Sequence, residues 1–194
     1  DPSNLIEGQI WYNTTSQTLK VAPGIGAWSS GGNMNTARSY GGGAGTQTTA
    51  LCFGGNPVSP GILNESYDGS SWTEVGDLNQ LRRGHAGFGT STAAISAGGG
   101  DGTNYFDASE TWDGSSWTEG NNLASGREQI GECGTSTAGL VFGGQGPPSS
   151  MQDNSEEYNG TSWTEGNNLN TARYLLSGAG TQTAGLAFGG DVDP

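Results

Sequence analysis

The sequence predicts an all-β chain assembled from repeated four-stranded units, and three observations carry that reading. The first is composition: 37 glycines and 7 prolines in 194 residues disfavour helices, which both residues destabilise. The second is an internal repeat, four copies long, with a period near 45 residues. The third is that each copy breaks into short apolar or aromatic runs divided by turn residues, a pattern of strands.

Tryptophan sets the register. Trp28, Trp72, Trp117 and Trp163 are 44, 45 and 46 residues apart. Ten residues after each comes an arginine: Arg38, Arg82, Arg127 and Arg173. Seventeen residues after each comes Gly-Thr, and twenty-six after each a double glycine: Gly54-Gly55, Gly98-Gly99, Gly143-Gly144 and Gly189-Gly190. All length variation falls between the double glycine and the next Trp. The repeats at about 28–71, 72–116, 117–162 and 163–194 are therefore a fixed frame followed by one variable loop. Residues 1–27 form an N-terminal module.

Within each copy the elements follow in order. A small, Gly-rich strand comes after the Arg, then a Gly-Thr-x-Thr turn, then an apolar strand such as Leu140-Val141-Phe142. After the loop comes an aromatic strand: Glu65-Ser66-Tyr67, Glu110-Thr111-Trp112 or Glu157-Tyr158. Asp68-Gly69, Asp113-Gly114 and Asn159-Gly160 then predict two-residue hairpin turns, and the Trp strand closes the unit. Inner strand pairs are expected at about 38–54, 82–98, 127–143 and 173–189, and outer pairs at about 64–76, 108–121 and 155–168.

Four antiparallel strands in such a length make the blade of a β-propeller, with small residues at the axis and aromatics packed between blades. The fourth blade lacks its outer pair. Residues 9–30 are expected to supply it, with Ile10–Asn13 as the aromatic strand and Trp28 in the last one. N-terminal strands would then complete the C-terminal blade of a four-bladed ring and hide its edges. Two readings stand beside this one: a piece of a six- to eight-bladed ring, and blade completion between chains.

Leu51-Cys52-Phe53-Gly54-Gly55 followed by Tyr67-Asp68, Trp72 and Arg82 resembles the kelch repeat, and so does Leu140–Gly144 followed by Tyr158-Asn159, Trp163 and Arg173. The resemblance implies a kelch-like β-propeller. Residues 7–21 look like a short hairpin module of bacteriophage tail-fibre and virion appendage proteins, and 163–173 resemble Gly-rich kelch-like phage proteins. That likeness implies a virion surface or an extracellular location.

Charge and chemistry narrow the function. Six Lys and Arg against 19 Asp and Glu give a net charge of -13, which weighs against nucleic-acid binding. No apolar run is long enough to insert in a membrane as a helix. His85 is the only histidine, and Cys52 and Cys133 hold non-equivalent repeat positions, which disfavours a metal centre or a nucleophilic triad. No enzymatic activity and no cofactor are expected. Both cysteines read as small buried hydrophobes. His85 aligns with Gly41, Ile130 and Leu176, and this variability points to an exposed site with an ordinary structural or surface role. The repeated arginines are expected to pair with Glu74, Glu119 and Glu165, two residues after the Trp. Asp101-Gly102-Thr103-Asn104 reads as a turn in preference to a calcium loop.

Binding then falls to the variable loops at 54–64, 98–108 and 143–155, with Pro57, Tyr105, Phe106, Pro147 and Met151 as candidates. The expected function is a non-enzymatic structural and adhesive protein of a phage appendage or extracellular filament. It would contact copies of itself, other appendage subunits or a host glycan. The alternative is a carbohydrate-binding or carbohydrate-active propeller domain cut from a larger chain.

Overall fold

The structure, a computed structural model, describes residues 10–13, 15, 18–21, 30–57 and 61–192, and all regular structure among them is β. Trp28, and Pro60 of the first variable loop, lie outside the described residues. The chain divides into two compact units, 1–31 and 32–194. In the first, β1 (Ile10–Asn13) and β2 (Thr18–Val21) form an antiparallel hairpin that pairs Ile10 with Val21 and Asn13 with Thr18.

The second unit contains three four-stranded antiparallel meanders. The first is β3 (Gly42–Gly45), β4 (Ala50–Phe53), β5 (Asn64–Tyr67) and β6 (Trp72–Val75). The second is β7 (Ala86–Thr90), β8 (Ala93–Ala97), β9 (Ser109–Trp112) and β10 (Trp117–Glu119). The third is β11 (Gly131–Thr135), β12 (Ala138–Phe142), β15 (Ser155–Tyr158) and β16 (Trp163–Glu165), with a ribbon of β13 (Gln145–Gly146) and β14 (Ser150–Met151) inside its variable loop. The fourth repeat forms a two-stranded sheet, β17 (Tyr174–Thr181) and β18 (Ala184–Asp191). Each expected inner and outer strand pair of the repeats is present within a few residues of its predicted place.

The first strands of successive sheets lie side by side in the order β3, β7, β11, β17. Small residues make this approach possible: a Cβ on Gly87 would sit 2.7 Å from the Gly42 Cα. The double glycines have two duties. Gly98 and Gly99 hold φ of +68° and +94°, a region that side chains resist. The second glycine also donates its N–H to the next repeat's arginine carbonyl: Gly55 to Arg82 at 2.8 Å, Gly99 to Arg127 at 2.7 Å, Gly144 to Arg173 at 2.9 Å.

Apolar clusters fill the space between sheets. Leu51, Phe53, Ala94, Trp112 and Trp117 lie between the first and second, with the Phe53 and Trp117 rings 4.7 Å apart. Phe88, Ile95, Ile130, Val141 and Tyr158 lie between the second and third. Cys133, Phe142 and Leu176 join the third to β17. Both cysteines are free; Cys133 is buried and Cys52 only half-buried. The hairpin turn departs from the sequence expectation by one residue. Asp68 N–H donates to the Ser71 carbonyl at 3.2 Å, so Gly69 and Ser70 form the tip. The Asp68 carboxylate accepts the Ser70 and Ser71 amides, each at 2.8 Å, which fixes this register.

Candidate functional site

The frame that holds the loops is an ion pair repeated in each four-stranded sheet. Arg38 pairs with Glu65 at 2.6 Å, Arg82 with Glu110 at 3.0 Å, and Arg127 with Glu156. The arginine stands at the start of the sheet and the glutamate in its third strand. This corrects the sequence expectation. Glu74, Glu119 and Glu165 lie opposite Glu65, Glu110 and Glu156 on the fourth strand, and all three are exposed. Only the third-strand carboxylate reaches the buried guanidinium. Arg173 has no carboxylate partner among the described residues and donates to the Gly189 carbonyl at 2.9 Å.

Each pair also clamps the crossover between sheets. Glu110 accepts the amides of Asn79 at 2.7 Å and Gln80 at 3.2 Å, both on the segment arriving from the first sheet. Arg82 donates to the carbonyls of Gly98 at 3.0 Å and Ala108 at 2.7 Å, the two ends of the second variable loop. Arg127 repeats the contact at Asn154 O, 3.0 Å. The arginines thus anchor the bases of the loops.

Above that frame two loops meet. Thr103, Asn104 and Tyr105 of the second loop and Pro147, Pro148 and Ser149 of the third line an open groove of about 420 Å³. The Tyr105 hydroxyl lies 3.1 Å from Ser149 Oγ and joins the two walls. Tyr105 is half-buried, while Pro147, Pro148 and Ser149 are exposed. Asp101 turns onto its own loop. Its carboxylate accepts Thr103 N at 2.8 Å, Asn104 N at 2.7 Å and Asn104 Nδ2 at 2.9 Å, which braces the loop as a turn. Tyr105 and Pro147 are thus brought together. Phe106 is half-buried and fixed through its backbone, donating to Gly99 O at 2.7 Å. Met151 is half-buried in β14 opposite Gln145, and Pro57 is exposed beside Arg38 on the first loop; neither lines the groove. Ser149 escaped the sequence reading because a lone serine in a polar loop carries no signal.

A second concavity, of about 220 Å³, opens where the inner strands begin and includes Tyr40, Gly84, His85, Gln129, Glu132 and Leu175. Tyr40, Gly84, Gln129 and Leu175 hold one repeat position, and each has φ between +55° and +57°. Their backbones form a chain of bonds: Gly84 N to Tyr40 O at 2.8 Å, Gln129 N to Gly84 O at 2.5 Å, Leu175 N to Gln129 O at 3.1 Å. His85 is buried here, against the expectation of an exposed site, because Gly42 and Gly54 leave room for its ring and Phe53 stacks on it at 5.6 Å. Burial, and then the nearby Arg82 charge, hold its imidazole down at about 3. Burial alone pushes the Glu132 carboxyl up to about 7. Among the described residues no three of His, Cys, Asp and Glu gather where they could hold a metal ion, and no helix is long and apolar enough to cross a membrane.

No protein-family model matches this chain, and a comparison with curated proteins finds no match either.

Proposed function

We propose that the repeats are the blades of a kelch-like β-propeller, with strands near the N-terminus completing the fourth blade. We read the module as a non-enzymatic structural and adhesive protein at a virion surface or in an extracellular filament. Its recognition surface is the Tyr105 groove, and the ligand class is a neutral host-surface glycan. The observation that carries this reading is the Tyr105–Ser149 contact. It joins two loops into one groove on a rigid frame and presents an aromatic ring beside two prolines. Rings of this kind supply contact area at low entropic cost. The groove lining contains no Asp or Glu, whereas glycoside hydrolysis needs a carboxylate pair, so binding fits better than cleavage. A chain of net charge -13 disfavours sulfated or sialylated glycans.

Saturation-transfer NMR against a panel of neutral and acidic oligosaccharides tests this. Transfer to a neutral oligosaccharide is expected, reduced about tenfold in affinity by Tyr105→Ala and largely kept by Tyr105→Phe. No transfer to any glycan, or equal binding by Tyr105→Ala, rejects the reading.

A further inference from the structure

Inside the chain, the front face of each sheet is covered by the next. Leu51 and Phe53 of β4 are 2% and 0% exposed under the second sheet. Ile95 of β8 and Phe142 of β12, at the same repeat positions, are 2% and 3% exposed. The fourth copy breaks the pattern: Leu186 and Phe188 of β18 are 63% and 47% exposed. At the other end of the row the opposite surface is less deeply buried. Val141 and Tyr158 form the rear of the third sheet and are buried against the second. Their counterparts on the first sheet, Cys52 and Tyr67, are only half-buried, and the Tyr67 ring lies 5.0 Å from that of Trp72.

We infer that the front face of β17–β18 takes the rear face of the first sheet in a second copy of this chain, head to tail. The occupant follows from the interfaces already present. The first two internal junctions set an apolar front on rear aromatics of the next sheet: Leu51 and Phe53 on Trp112 and Trp117, and Ile95 on Tyr158. Leu186 and Phe188 offer the same front, and Tyr67 and Trp72 the same kind of rear. The backbone chain from Tyr40 to Leu175 gains its next step when Tyr40 of the second copy follows Leu175. This inference rests on the stacked-blade reading and is independent of the Tyr105 groove. A head-to-tail contact propagates unless it closes on itself.

Light scattering of the full chain over a concentration series tests it. The expected mass rises to multiples of 19.7 kDa, and salt promotes the rise because the copies share one sign of charge. The variant L186R/F188R, altered only at exposed positions, stays at the single-chain mass at tenfold higher concentration with an unchanged circular dichroism spectrum. Tyr67→Asp does the same from the other face. Mixing the two variants restores a dimer, since one keeps the front and the other the rear. If Tyr67→Asp does not fold, L186R/F188R added to the wild-type chain caps the assemblies and lowers their mean mass. A wild-type chain that stays at 19.7 kDa throughout overturns the inference. So does a folded L186R/F188R that associates as the wild type does. If the monomeric wild type also shields Leu186 from hydroxyl-radical labelling, its own chain covers the face, and the stacked-blade and groove readings survive.

Discussion

Arg82 and Glu110 meet at 3.0 Å with neither side chain more than 2% exposed, and between them they hold both ends of one variable loop and the crossover from the preceding sheet. A buried charge that loses its partner keeps its full desolvation penalty. Arg82→Ala is therefore expected to lower stability by about 3–5 kcal/mol in urea unfolding. Arg173→Ala, which loses one bond to a carbonyl, costs about 1 kcal/mol. Equal effects for the two would mean that the Arg–Glu pair is not the anchor.

Glu132 supplies a prediction with a defined sign. Its carboxyl is pushed up to about 7 in the fold, so the folded state holds a proton that the unfolded chain releases near 4.5. Stability from this group is present below the unfolded value and is lost as pH rises from there through about 7. Glu132→Gln should stabilise the protein at pH 8 by about 1–2 kcal/mol, with allowance for the partial exposure of this side chain, and should have little effect at pH 4. Thermal melts at the two pH values decide this. A uniform effect at both contradicts it.

His85 acts in the opposite range. The unfolded chain binds a proton at a pKa of about 6.5, while the folded imidazole resists down to about 3. The wild type therefore loses stability as pH falls between those values. His85→Leu, which matches Leu176 at the same repeat position, removes that loss, and its melting temperature should fall less from pH 7 to pH 4. Parallel curves for the two proteins would show that burial does not hold the imidazole neutral.

Two glycines at one repeat position separate backbone strain from crowding. Gly98 has φ +68°, and a Cβ there would lie 2.6 Å from Ile130 Cδ1 and 2.9 Å from the Arg127 carbonyl. Gly189 has φ +70° with nothing within 4 Å. Gly189→Ala should cost about 1 kcal/mol, the backbone penalty alone. Gly98→Ala should cost at least about 1 kcal/mol more through overpacking. Chemical unfolding of both variants gives the comparison.

The strand order was legible because Trp, Arg and the double glycine mark fixed points on every copy, and short apolar runs lie between them. The arginine's partner was misread because Glu74 and Glu65 occupy facing strands with the same residue type, and spacing along the chain does not say which one faces the sheet interior. His85 was misread for a different reason. Variability at a position suggests exposure, but the ring fills space left by Gly42 and Gly54 in the neighbouring sheet, which a linear pattern does not reveal. The candidate loops were legible from their variable length. The meeting of Tyr105 with Ser149, 44 residues away, was not, because it depends on how neighbouring sheets align.

Backbone bonds from each double glycine to the next arginine join the repeats into one frame, and this frame positions the loops. Amide hydrogen exchange of Gly55, Gly99 and Gly144 tests it most directly. These three amides should exchange only through global unfolding, with protection that falls together in Arg82→Ala. Exchange of Gly99 and Gly144 as fast as that of the exposed Gly102 amide rules it out.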